Sequence, residues 1–477
     1  MQPKNQSQLL DDDILKKAIA ILMRKGADFG DVFLETASYK SLRIENRKIS
    51  TSTFREQGAG FRTIKNGKTC YVYTSNLNPR DIISTAHLTA NAAMFGTHTP
   101  SNSTTPSMQS LTPIPDSLSP DLETMPFPLE ELAIKMNTLS DHAWSSDERI
   151  LQVILFYRES RRHLTLISST GSWIHHHPSL TEMHAIIMMK DKNGELQTGY
   201  EGKSAHSKQH FFRDAHSFET IVDTAVRRAQ LLMDATACPH GTFPVVLGPG
   251  MNGMIFHESC GHGLEADLAF NGSCFKDMLG KAIASPKITL IDDPTLPQMP
   301  GSYPFDDDGV PSQRTVLINE GILENYLCDL NWGKKLNLPA TGNGRRQSFR
   351  FAPLPRMSNT FIDKGTDSPE SIIANTRKGI YVTEAGAGQV DPITGNFMMT
   401  ITEGYLIENG KVTRPIKGGS LSGTGTQILN AIDRVGNDLV ITPTGARCSK
   451  TQLIPVSVGM PTIRVSDMLV GGNGESW

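Results

Sequence analysis

Residues 243–268 read FPVVLGPGMNGMIFHESCGHGLEADL, and the reading of the second half of the chain turns on them. FPVVL has the apolar, β-branched character of a buried strand, and GPGMNG that of a turn. A helix beginning near Met251 would carry His257 and Glu258. Zinc peptidases often present H-E-x-x-H, two histidines one helical turn apart. Here the second histidine, His262, comes one residue late. A regular α-helix advances about 100° per residue, so positions five apart diverge by about 140° and cannot face one ion. A π-bulge adds one residue to a turn and would bring both onto one face. Gly261 lowers the cost of that distortion.

An isolated H-E-x-x-x-H is more often a pair of packed or capping histidines than a metal site, and catalytic zinc normally takes three protein ligands. Several residues could supply a third. Cys260 lies between the histidines, but on a helix it would point away from them. Cys274 is near in sequence and needs a tight return. His175-His176-His177 is a triplet that alternation along a strand makes mostly surface. Cys448 sits in a Gly-flanked turn before a strand, a good place to present a thiolate. Spacing alone does not choose among them.

Residues 13–25 form an amphipathic helix with Asp13 as N-cap and Gly26 as stop. Helices are expected near 79–94, 128–143 and 217–234. Asn66-Gly67, Asn193-Gly194 and Asn409-Gly410 are hairpin signals, with Glu320-Gly321 a looser one. So many hairpins predict largely antiparallel sheet. Residues 97–128, rich in Pro, Ser and Thr, read as a long surface excursion. The composition changes near residue 240. The class is α+β, with a mixed N-terminal α/β domain over 1–240 and a β-rich, metal-carrying domain over 241–477. FDDDG (305–309) is flanked by Pro304 and Thr315 where an EF-hand needs ligands, so it reads as a turn.

A chain of 477 residues exceeds the usual size of one core, and 38% hydrophobic with 20% charged residues suits a globular protein. The net charge of −3, with arginines only in pairs, gives no attraction to nucleic acid or to anionic membranes. The N-terminus lacks the apolar core of a signal peptide, and no run reaches the ~20 residues of a membrane span. Six scattered cysteines do not form a disulfide framework. The expectation is a cytoplasmic protein.

Further segments settle the ligand question. FHESCGHGLEADL (256–268), YPFDDDGVPSQRTVLINEGIL (303–323) and ATGNGRRQSFRFAPLPRMSNTFI (340–362) are followed by GIYVTEAGAGQVDPITGNFMMTITEGYLIENGKV (379–412) and CSKTQLIPVSVGMPTIRVSDMLVGG (448–472). In this order they resemble the TldD branch of the TldD/PmbA family, zinc metallopeptidases with an H-E-x-x-x-H motif. The resemblance covers most of the chain and is strongest after residue 240. It implies Zn²⁺ held by His257, His262 and Cys448, with Glu258 as general base, and so selects Cys448 over Cys260 and Cys274. The family follows that cysteine with Gly-Lys and then Gly-Gln; this chain has Ser449-Lys450 and Thr451-Gln452, so Ser449 stands for a glycine.

Two imidazoles and a thiolate suit Zn²⁺. The implied activity is hydrolysis of peptides or unfolded protein segments, with the peptide entering extended along a sheet edge. The resemblance also implies a homodimer, or a heterodimer with a metal-free relative. Arg345, Arg346 and Arg356 are candidates for binding substrate, or for tying loops together within the fold. The rival expectation is a non-catalytic regulator of a partner protein, of the gyrase-modulator type, with a structural metal; a metal-dependent amidase lies between the two.

Overall fold

The computed structural model describes residues 10–93, 128–191, 194–206, 217–443 and 447–477. The expected excursion at 97–128, Pro128 excepted, and Asn193 of one expected hairpin lie outside the described residues.

The first half is one antiparallel sheet with helices on one face. Its strands are β1 (Phe29–Glu45), β2 (Lys48–Lys65), β3 (Lys68–Thr74), β4 (Ile150–Ser168), β5 (Trp173–His176), β6 (Ser179–Lys190) and β7 (Leu196–Ala205). They pair in the order β3-β2-β1-β4-β6-β7, with β5 on β4. The helices are α1 (Asp12–Met23), α2 (Pro79–Ala92), α3 (Leu129–Ser146) and α4 (Ser217–Met233). The α1 cap is Asp11, not Asp13: its carboxylate accepts from the Asp13 N–H at 3.0 Å.

β1 runs against β2 and β4 without a bulge, so its side chains alternate faces along its length. Val32 and Leu34 share a core with α1 and α2, through Leu15, Leu22 and Ile82. Leu42 and Ile44, on the same face, share one with α3 and α4, through Met136, Phe218 and Ile221. The opposite face carries Asp31, Phe33 and Glu35, and it meets the second half of the chain. Phe33 packs with Phe349. Arg62, buried, pairs with Asp31 and, at 2.5 Å, with Asp308 of the FDDDG turn. Arg162 pairs with Glu35 at 2.6 Å.

In the second half, strands Gly241–Leu247, Lys378–Val390, Asn396–Glu408, Ser420–Thr424 and Ile463–Gly471 pair into a closed ring. A six-stranded sheet lies beside it, in which Asn359–Ile362 runs parallel to Ser457–Met460. Most pairings are antiparallel, as the hairpin signals predict, and the class is α+β. Asn66-Gly67, Glu320-Gly321 and Asn409-Gly410 all turn with both residues at positive φ, the geometry of tight hairpins. Asn46-Arg47 does the same between β1 and β2, at φ 48° and 65°. That hairpin carries no glycine, so the Asn-Gly pattern does not find it. Among the described residues no helix is long and apolar enough to cross a membrane.

Candidate metal centre

The segment after strand Gly241–Leu247 enters the core between the ring and the six-stranded sheet. Asn252 fixes its start: its side-chain amide donates to the Gly248 and Val382 carbonyls and its oxygen accepts from Ala385 N–H. A single α-turn, Gly253–Phe256, begins two residues later than the expected Met251. Gly253 is required there, because a Cβ would lie 2.7 Å from the Gly459 carbonyl oxygen. Ile255, Phe256, Cys260 and Leu264 anchor the segment in the largest core cluster.

His257–Gly261 is a π-turn, followed by a 3₁₀ turn, His262–Leu264. The His262 N–H donates to the His257 carbonyl, five residues back. This is the distortion that the spacing demands. The two imidazole rings stand 5.4 Å apart, nearly perpendicular at 81°. Gly261 lets Met357 approach: a Cβ would meet its sulfur at 2.2 Å.

Cys448 completes the group, though it lies on a strand and not in a turn. Arg447–Lys450 and Gln452–Pro455 form a two-stranded hairpin. Its bend is Thr451, at φ 59°. Ser449 is exposed on the hairpin and has no positive φ, so the serine sits without strain. The Cys448 Sγ lies 3.2 Å from His262 Nε2. One ligand atom from each of His257, His262 and Cys448 falls within 4.8 Å of the others, and among the described residues no other group of three does so. Cys260 and Cys274 are outside it; burial pushes the Cys260 thiol up to about 12.

The donor set fits a metal. Both ring nitrogens of His257 are buried with no hydrogen-bond partner among the described residues, an arrangement costing about 1–3 kcal/mol unless something binds there. In a tetrahedral zinc site, ligand atoms lie roughly 3.3–3.6 Å apart, given the bond lengths. Burial opposes the thiolate of Cys448, but His262 and His257 outweigh it and hold the thiol well below its usual range. Thiolate is the ligating form. Burial likewise opposes the imidazolium of His262, while Glu265 and Cys448 raise it well above its ordinary value.

Glu258 is the one partly exposed member. Its side chain is 24% accessible, against 3% for His262, and its Oε2 lies 3.7 Å from His262 Nε2. It therefore borders the solvent-accessible side of the group.

A supporting layer was not read from the sequence. Glu265, fully buried, accepts from His262 Nδ1 at 3.0 Å. Lys450 Nζ reaches Glu265 at 2.8 Å and Asp267 at 3.0 Å. The only local signal was the spacing of three residues between His262 and Glu265; Lys450 arrives from a distant hairpin. Arg356, fully buried, donates to the Cys448 and Gln452 carbonyls and sits 3.7 Å from Glu265. Arg345 donates to the Met357 and Pro455 carbonyls, and Arg346 to the Asp307 carbonyl. Arg345 and Arg356 thus tie the loops around the hairpin together, while Arg346 ties its segment to the FDDDG turn and, through Asp31, to the first sheet. His175–His177 lie half-buried along β5 and its end, away from the group.

The irregular helix carrying two histidines and the cysteine hairpin both fall in a segment matched by the model of a metallopeptidase family. The PmbA/TldA metallopeptidase C-terminal domain matches residues 240–472, the central domain 124–233 and domain 1 residues 30–93. The chain belongs to the TldD/PmbA family. It is 32% identical to the metalloprotease TldD homolog of Buchnera aphidicola (Acyrthosiphon pisum), over 98% of this chain and 97% of that one. It is 31% identical to that of Haemophilus influenzae, over 97% of each. Among solved structures it resembles TldE from Thermococcus kodakarensis (20% identity, TM-score 0.75, covering 96% of this chain and 100% of that one). A Bacteroides thetaiotaomicron protein described as a candidate modulator of DNA gyrase is also similar (20%, TM-score 0.77, covering 98% and 100%).

Proposed function

We propose that this protein is a zinc-dependent metalloprotease acting on peptides or unfolded protein segments. One observation carries the reading: His257, His262 and Cys448 converge at ligand distance, with the imidazole nitrogens of His257 otherwise unpartnered. The names of the relatives support it. When bound, zinc supplies polarisation of a carbonyl and acidification of water. The residues of the chain do the rest. Cys448 offers a thiolate, and Glu265 accepts a hydrogen bond from Nδ1–H of His262, which leaves the Nε2 lone pair for the metal. Glu258, at the accessible side, accepts the proton of the attacking water and delivers it to the leaving amine.

The six cysteines are all unpaired, in keeping with a reducing cytoplasm. Assembly as a homodimer, or with a metal-free relative, belongs to the same reading. The rival is a regulator of a partner protein, favoured by the description of the Bacteroides neighbour; it leaves the accessible Glu258 without a task.

Elemental analysis combined with digestion of an unfolded protein tests the proposal. Glu258→Gln should keep zinc and lose about 10²–10⁴-fold in hydrolysis. A zinc-loaded parent that cleaves nothing, alone or with its partner subunit, would instead establish the regulator.

A further inference from the structure

We propose that the cleft between the N-terminal sheet and the far face of the Cys448 hairpin binds a carboxylate group through Arg158 and Arg162, with Arg447 beside them. The cleft has a volume of about 150 Å³. One water needs ~10–15 Å³ on this measure, so roughly ten waters or a small organic acid would fit.

Five arginines line it: Arg158, Arg162, Arg345, Arg346 and Arg447. Of its two lining aspartates, Asp306 is held by three backbone N–H groups, those of Asp308, Val310 and Gly344. Asp307 accepts one, that of Arg346, through Oδ2, while its charge also faces Arg162. Arg345 and Arg346 are committed to backbone carbonyls. Arg447 forms a fork with Glu182 at 2.7 and 3.1 Å.

Arg158, beside Glu182, and Arg162 remain under-used, and the buried Nε of Arg346 also has no hydrogen-bond partner among the described residues. Arg158 comes no closer to a carboxylate than 3.9 Å, to the same Glu182, and lies over the Tyr39 ring at 5.4 Å. Arg162 bonds Glu35 through Nε, while its buried Nη2 has no hydrogen-bond partner. A buried, unsatisfied guanidinium donor costs more than a neutral one, and a carboxylate is its best partner. Burial and the neighbouring Arg447 also disfavour the charge on Arg158, which an anion would relieve.

The site stands apart from the hydrolytic reading. Arg447 and Cys448 are adjacent on one strand, and one faces Glu182 while the other faces His262.

Calorimetric titration of the full chain tests it, using succinate, an N-acetylated tripeptide with a free C-terminal carboxylate, and the amide of that tripeptide. The free acids should bind, with the amide at least about tenfold weaker. Arg158→Gln should weaken binding at least about tenfold, and Arg158→Lys should keep most of it; zinc content should be unchanged in both. Binding of the tripeptide acid without succinate assigns the site to peptide C-termini, whereas equal binding of both assigns it to free carboxylates. No binding by either acid, equal affinity for acid and amide, or an Arg158→Gln protein that binds like the parent would overturn the proposal.

Discussion

Glu265 Oε2 lies 3.0 Å from Nδ1 of His262, and that contact sets the orientation of the ring whose other nitrogen faces Cys448. A buried carboxylate behind a ligating histidine fixes both its tautomer and its angle. Lys450 and Arg356 in turn hold Glu265, so one carboxylate joins the π-turn, the cysteine hairpin and the 345–357 segment.

Replacing Glu265 by Gln should therefore weaken zinc binding about 10–100-fold. Competition with a chelator, on protein shown by near-ultraviolet circular dichroism to be folded, measures it. Unchanged affinity would remove Glu265 from the site.

Metal content should also discriminate among the cysteines. Cys448→Ala should lose most of the zinc, while Cys260→Ala and Cys274→Ala, outside the ligand group, should retain it. The reverse pattern would show the hairpin to be misassigned.

Thr451 bends the cysteine hairpin at φ 59°, a left-handed conformation that costs a β-branched residue about 1–2 kcal/mol. The greater freedom of glycine in the unfolded chain offsets part of any gain. Thr451→Gly should leave a net stabilisation of about 0.5–1 kcal/mol, seen as slower amide hydrogen exchange across 447–455 with zinc content maintained. Faster exchange would contradict the strain.

A fourth expectation concerns pH. Glu384 pairs with Arg228 at 2.9 Å, among Glu201, Glu403 and Arg227. Burial pushes its pKa up to about 7, from an ordinary 4.5, with Arg228 opposing and Glu201 and Glu403 assisting. The folded state thus binds a proton that the unfolded state has released. This contribution is fully present below about pH 4.5 and is lost as pH rises through about 7. Glu384→Gln, permanently neutral, should gain in Tm relative to the parent on going from pH 5 to pH 8. A pH-independent difference would place the Glu384 pKa near its ordinary value.

The sequence by itself determined the local features. Asn-Gly pairs set hairpins because both residues must adopt positive φ, and the periodicity of 217–234 set a helix because one face must be buried. The five-residue spacing of His257 and His262 required a π-turn, since no regular helix brings such positions together. Tertiary structure decided what depends on distant partners. Cys448 meets His262 across 186 residues of chain. Closure of the five-stranded ring depends on Lys378–Val390 pairing with both Gly241–Leu247 and Asn396–Glu408. No local pattern announces that Glu265 would be buried between Lys450 and Arg356, or that Arg158 and Arg162 would share a cleft with Arg447. Those placements follow from how the polar face of the first sheet docks on the second half. Side-chain chemistry is written residue by residue, whereas the surroundings of a buried charge exist only once the layers have packed.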